Sequence, residues 1–439
     1  YRGVRRVLYT ALAIVVSLSL LVCLLLILNV NYITYNILKE PRVRGALLAI
    51  YPAIIMMAIS SVFKGYFYGV KNFYPPAFSE VIEELVTIML VFYLLSKVKH
   101  LDISVQVTIV AFDIVIGELF SLLYLNYSYH KAKDCSSLSS YRKVSSSFPL
   151  ADILKISAPI TLVRLMSSLG TSASSILIPQ RLVKSGIAHN QAVSLLGILS
   201  GMVVPLLFLP FTFVGSLAVV MIPNLSEDLA QNNWNRIRSK ISKAIFITSV
   251  TALPFGAIMT ALAHPIGILL YNHQEVGSLL QSMAFVSGIN ALSHTLSAIL
   301  NGLGKQNKSA MYAVIGEALE ILSILFLVTL PSLRIHGYVI GFILSSLIVL
   351  LLQFVTVYRV ANLRIMWGEW FIKPIFASLL TASIARLTYL WLFSLGCTLI
   401  LSFSLSAVVS ILIYIFTLYV LGSITFIRST ILPTKRAKG

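Results

Sequence analysis

Apolar runs of about twenty residues or more recur along almost the whole chain, near 7–29, 45–68, 76–96, 104–128, 152–178, 191–222, 243–267, 277–302, 309–331, 335–358, 370–392 and 396–424. A bilayer core of about 30 Å is crossed by roughly 20 apolar residues in a helix, so each run is long enough to span. Hydrocarbon offers no water to an unpaired N–H or C=O, so a spanning segment must satisfy its own backbone. Runs of this length do so as helices. Composition agrees: 58% of the 439 residues are hydrophobic and only 11% are charged, against roughly 25% in a soluble domain. The polar stretches near 129–150 and 223–240 are too short for a globular extramembrane domain. The expected fold class is all-α, a polytopic membrane protein with 12 transmembrane helices here.

The formal charge of +18 raises the question of nucleic acid, and its distribution answers it. Lys and Arg fall in short clusters between the spans and not along one basic face. One set of loops collects Arg2, Arg5, Arg6, Lys64, Lys71, Lys131, Lys133, Arg142, Lys143, Arg236, Arg238, Lys240, Lys243, Lys305, Lys308, Arg359, Arg364, Arg428, Lys435, Arg436 and Lys438. The other holds Lys39, Arg42, Arg44, Lys97, Lys99, Arg181, Lys184 and Arg334. The excess on the first set places both termini in the cytoplasm of a cell-membrane protein. Segment 223–242 carries Leu225, Leu229, Trp234, Ile237 and Ile241 at near-helical spacing, which predicts a helix along the cytoplasmic interface. The Ser-rich stretch 131–149 reads as a linker between two halves.

No catalytic constellation is present: no HExxH, no GxSxG and no His or Cys cluster with ligand spacing. Cys23, Cys135 and Cys397 stand apart, which fits neither a disulfide framework nor a metal site. No enzyme activity, metal or cofactor is expected.

Two stretches, 67–93 and 300–326, repeat one another at an offset of 233. Gly69 falls on Gly302, Ala77 on Ala310, Val81 on Val314, Ile82 on Ile315, Glu84 on Glu317 and Ile88 on Ile321. The same offset lays YRGVRRVL over WNRIRSKI. Internal repeats underlie many transporter folds, so the duplication points to a transporter. Spans one to four pair with spans seven to ten, and the even number of spans between them predicts copies of one orientation. The second copy is preceded by two further spans, which predicts a 14-helix protein whose first two helices lie upstream of Tyr1.

Seven ordered stretches carry a family resemblance: YRGVRRVL (1–8), VFKGYFYGVKNFYPPAFSEVIEE (62–84), ISAPITLVRLMSSL (156–169), IPQRLVKSGI (178–187), GMVVPLLFLP (201–210), LAVVMIPNLSEDLAQ (217–231) and NGLGKQN (301–307). With these the chain resembles the polysaccharide-flippase branch of the multidrug/oligosaccharidyl-lipid/polysaccharide (MOP) superfamily, and within it the stage V sporulation protein B family. The resemblance implies a MATE-like bundle of two lobes around a central cavity. It also implies transport of undecaprenyl-pyrophosphate-linked saccharide, such as a peptidoglycan precursor, from the cytoplasmic to the outer leaflet. The domains then read as an incomplete N-terminal lobe at 1–130, a linker at 131–149, a six-helix lobe at 150–362, and two additional helices with a basic tail at 363–439. Lipid-linked oligosaccharide and membrane lipids are the partners implied, and the chain is expected to act as a monomer. Two readings compete: a drug or cation antiporter of the same superfamily, and a membrane scaffold for cell-wall synthases.

Charges inside spans cost a few kcal/mol each by insertion scales, so each is a candidate for function. Arg164 lies twelve residues beyond Asp152, about 18 Å along a helix and so near the midplane. A guanidinium there suits a pyrophosphate, which it grips with two hydrogen bonds, and a partnership with Asp113 or Glu118 is the alternative. Glu84 and Glu317 are the pair related by the repeat, with Glu320 one turn beyond the second. They read either as gate residues or as packing groups, each bonded within its own lobe. Asp113 and Glu118 sit five residues apart on different helix faces and are candidates for a coupling proton or cation. Arg181, near the outer face, is a gate or interface anchor. His294 reads as a packing residue.

Overall fold

The computed structural model describes residues 2–70, 72–98, 100–134 and 150–423, with the side chains at 2–5, 132–134, 150–160, 162–164, 213, 216, 218–220 and 223 left aside. In chain order the elements are α1 (Arg2–Leu28), α2 (Val30–Tyr32), α3 (Arg44–Gly69), α4 (Tyr74–Val98), α5 (Ile103–Asp134), α6 (Leu150–Lys184), α7 (His189–Ile198), α8 (Val204–Ala230), α9 (Trp234–Ala261), α10 (Ala263–Tyr271), α11 (Gln274–Met283), α12 (Val286–Gly302), α13 (Gln306–Phe326), α14 (Ile335–Ala361), α15 (Lys373–Ser394) and α16 (Leu399–Val420). Among the described residues nine helices are long and apolar enough to cross a bilayer. A tenth is added if α11 and α12, bent by 51° at their junction, count as one span. Of the twelve expected stretches, 76–96 lies on α4, where Glu80, Glu83 and Glu84 break the apolar run. Stretch 152–178 lies on α6, whose side chains are outside the described residues as far as Ile160 and again at 162–164.

Contacts divide the chain into two compact units, Tyr1–Ile160 and Thr161–Gly439. In the first, α3 packs on α1 and α5, and α4 packs on α5. In the second, α12 packs on α9 and α14, and α13 packs on α14. The offset of 233 carries α1 onto α9, α4 onto α13 and α5 onto α14, so the repeat extends from residues to the choice of packing partner. The short α2 and the π-helical turn Ile33–Ile37 that follows it fall on α10. The copies differ at α3, which is continuous and falls on the bent pair α11 and α12.

Large apolar side chains point away from both units, among them Leu28, Phe92, Leu412 and Phe416. Hydroxyl and small side chains line many of the helix contacts instead. Where α15 packs on α16, Ser402, Ser406 and Ser410 are fully buried. Each of Ser378, Thr381, Ser410 and Thr417 donates to the backbone carbonyl four residues earlier. Between lipid-embedded helices small residues let backbones approach closely, because no hydrophobic force separates helix from lipid. Tyr414 Oη donates to the Val250 carbonyl at 2.7 Å and ties α16 to α9.

Proline explains one break. Pro205 follows the π-helical turn Leu199–Val203 that joins α7 to α8. Its missing N–H and its ring would disrupt a regular ladder there, and the wider turn accommodates both. Segment 223–242, expected as one interfacial helix, is instead the end of α8 and the start of α9. The chain reverses at Asn232, with φ of +52°, and Asn233 caps α9 by accepting from the Arg236 N–H. Leu225, Ile237 and Ile241 are fully buried in the core of the second unit, so their helical spacing marked a packed hairpin and not a membrane-surface face.

Close packing sets a measurable constraint at Gly337, where a Cβ would lie 2.5 Å from the Leu327 carbonyl carbon and 2.7 Å from the Val328 nitrogen. A backbone neighbour cannot swing aside. We expect Gly337→Ala to lower the melting temperature in detergent, at a cost of about 1–3 kcal/mol. Gly65→Ala, with open space around its Cβ position, serves as the control that leaves melting unchanged.

Candidate functional site

Glu317 and Glu320 sit one turn apart on α13, where the helix repeat brings both carboxylates to one side. Ser167 of α6 donates its hydroxyl to Glu317 Oε1 at 2.6 Å. Gly170, one turn along α6, makes room for that carboxylate: a Cβ there would stand 2.7 Å from Oε2. Tyr338 of α14 lies beside Glu320. Gly170, Glu317, Glu320 and Tyr338 line a cleft of about 210 Å³ inside the second unit, with Thr171, Ser174, Ser175 and Ser200 supplying hydroxyls. Ile178, Leu196, Leu199 and Val204 close its apolar side.

Two carboxylates among hydroxyls make an all-oxygen site. Such a site suits a proton or a hard cation and offers nothing to a soft metal. Its groups come from four helical segments, so occupancy would bias how α6 packs against α13 and α14. Ionisable side chains at membrane depth are functional candidates by default, and this cleft gathers two of them with their partners.

The other residues singled out from the sequence are dispersed. Glu84, the counterpart of Glu317, is exposed and lines a second, wider cleft of about 630 Å³ in the first unit, beside Lys64, Glu80 and Glu83. Lys64 there pairs with Glu80 at 3.2 Å. Asp113 is fully buried on α5 and neither carboxylate oxygen has a hydrogen-bond partner among the described residues. Glu118 is 3% exposed and faces Glu83 of α4. Arg181 is half-buried on the last turn of α6 and is not among the residues lining either cleft. Arg164 lies on α6 three residues before Ser167, and its side chain is outside the described residues. His294 is exposed, and its ring lies edge-on against Phe211 with centroids 5.6 Å apart.

Sequence reasoning missed Ser167, Gly170 and Tyr338. Their roles depend on which helices pack together, and a Ser or Gly inside an apolar run carries no signal of that. Glu83 was not singled out either. The close approach of α4 to α5 gives it a separate partner.

The MatE family model matches residues 159–326. Stage V sporulation protein B of Bacillus subtilis (strain 168) is 27% identical over 374 residues, covering 84% of this chain and 72% of the relative. Lipid II flippase MurJ of the same organism is 22% identical over 330 residues, covering 71% of this chain and 59% of the relative. Among solved structures, an inward-facing MATE transporter superposes with a TM-score of 0.65 at 13% identity, covering 81% of each chain. A lipid II flippase MurJ in an inward closed conformation gives 0.63 at 15% identity, covering 98% of this chain and 89% of the other. The helices, their order and these likenesses agree on an all-α, multi-pass membrane fold of the kind seen in MATE and MurJ structures, and the chain is similar in sequence to a sporulation protein and to a flippase.

Proposed function

We propose that this chain is a flippase of the stage V sporulation protein B type, carrying an undecaprenyl-pyrophosphate-linked saccharide from the cytoplasmic to the outer leaflet. A peptidoglycan precursor is the cargo proposed, moved by alternating access of lobes that correspond to 1–130 and 150–362. The observation that carries this reading is the likeness to two relatives at once, a sporulation protein over 84% of this chain and a lipid II flippase over 71%. Fold alone does not choose between flippase and drug antiporter, since MATE and MurJ structures superpose equally well. Arg164 favours the anionic cargo. A guanidinium offers a pyrophosphate two parallel hydrogen bonds, whereas a cationic drug calls for the opposite charge.

Coupling falls to Glu317 and Glu320 in this reading. A proton or cation bound between them is felt by α6, the helix that also bears Arg164. A ligand shifts a conformational balance only by the difference in its affinity for the two states. Exchange of Ser167 as a partner of Glu317 supplies such a difference. The excess of basic residues on one set of loops supports cytoplasmic termini.

Two outcomes are expected for the protein reconstituted in vesicles with lipid-linked saccharide. Arg164→Ala should reduce flipping by roughly 10- to 100-fold with expression intact, the loss expected when a charge-assisted bond worth about 1.5–3 kcal/mol is removed. Unchanged flipping would sink the role given to Arg164. Glu317→Gln and Glu320→Gln should each abolish the dependence of transport on an imposed proton or sodium gradient. Retention of that dependence in both variants would move coupling elsewhere.

A further inference from the structure

The first unit holds a second acidic pair, and it is not the repeat copy of the first. Helices α4 and α5 run antiparallel: Gly117 lies against Thr87 and the Glu83 carbonyl, while Phe78 meets Tyr124 further along, with ring centroids 5.3 Å apart. A Cβ on Gly117 would collide with the Thr87 hydroxyl and stand 3.2 Å from the Glu83 carbonyl oxygen. The absent side chain thus lets the two backbones close where one helix carries Glu83 and the other Glu118. The Glu83 carboxyl of α4 faces the buried Glu118 carboxyl of α5 across this close approach. Glu118 is 3% exposed, and its Oε1 has no N–H or O–H donor among the described residues. Ser121, one turn along α5 and fully buried, adjoins the pair.

Two carboxylates in contact at membrane depth cannot both be charged without strong repulsion, and one proton held between them turns the repulsion into a hydrogen bond. The charged groups around the pair do not supply an alternative. Lys64 of α3 approaches, but its ammonium pairs with Glu80 at 3.2 Å. Glu80 and Glu84 of α4 and Asp113 of α5 add only negative charge. Nor does the fold demand the pair. At the offset of 233, Glu83 falls on Gly316, Gly117 on Leu350 and Glu118 on Leu351, so at the equivalent point of the α13–α14 contact a glycine lies against Val349 and no acid is present.

We propose that Glu83 and Glu118 share one exchangeable proton, making the α4–α5 contact a proton-binding site of the first unit. It is distinct from the Glu317–Glu320 cleft of the second. Loss of the proton leaves two like charges in contact and loosens α4 from α5; its return closes them. The inference concerns a bound proton and does not depend on the cargo proposed above.

Infrared difference spectroscopy on the purified full chain in nanodiscs tests this directly. The wild-type protein should show a carboxylic-acid C=O band at neutral pH that shifts in D2O and bleaches as pH rises. Glu83→Gln and Glu118→Gln should each remove that same band, since one proton serves both residues. Glu275→Gln, at an exposed position on α11, should leave it intact. A band that survives both variants, that only one of them removes, or that sodium bleaches at constant pH overturns the proposal. A measurement on the wild type alone covers poor expression of the variants. Its melting temperature should fall as pH rises through the midpoint of the band, and a flat profile there also overturns the shared proton.

Discussion

Hydrocarbon solvates neither a peptide group nor a charge, and most of this molecule's architecture follows from that. Backbone polarity is absorbed by helices, and the hydroxyls that remain are turned back onto their own helices, as at Thr381 and Ser410. Helix association then cannot draw on the hydrophobic effect, because Leu412 or Phe416 is as well solvated by lipid as by protein. What holds α15 to α16, or α14 to the turn after α13, is close approach at Ser, Ala and Gly. The same constraint makes every charge within a span conspicuous. Among the described residues, Asp113, Glu118, Glu317 and Glu320 are held at helix contacts or clefts.

The element order was legible because lipid imposes length and apolarity on every span, and both are properties of sequence. The repeat was legible for a further reason: identical residues at one offset are visible without any structure, and packing partners followed the same offset. Two features were not legible. The break of 277–302 into α11 and α12 depends on local packing, with Gly277 pressed against His264 and Gly288 against Leu253. The hairpin at Gln231–Asn233 was hidden because a buried helix end and a surface helix share one periodicity. Leu225 and Ile241 have the right spacing for either.

At the site, Glu317 and Glu320 were identifiable as acids at membrane depth, but their partners were not. Ser167 lies 150 residues away from Glu317, and a serine in an apolar helix is ordinary. Gly170 is informative only once the carboxylate that fills its missing Cβ is known. Sequence symmetry also suggested that Glu84 and Glu317 would behave alike. They do not: Glu317 is bonded to α6, whereas Glu84 is exposed beside Lys64 and Glu80. Equal position in a repeat fixes depth along a helix. It does not fix what the neighbouring helix presents.

The two copies thus carry their acids at different helix contacts, and the difference has a physical reading. In the second unit the acids face a cleft reached from α6, α7 and α8, with a tyrosine and several serines to share the charge. In the first they face each other across a glycine, with hydroxyl groups and one already paired lysine nearby. An open cleft of oxygens takes its occupant through groups on several helices, so exchange acts on how those helices pack. In the contact pair, loss of the proton leaves two like charges facing each other and loosens α4 from α5. One fold duplicated in sequence therefore presents an adaptable site in one copy and a contact that responds to protonation in the other. Divergence of this kind lets a symmetric scaffold respond asymmetrically, because each copy distinguishes its states through a different local equilibrium.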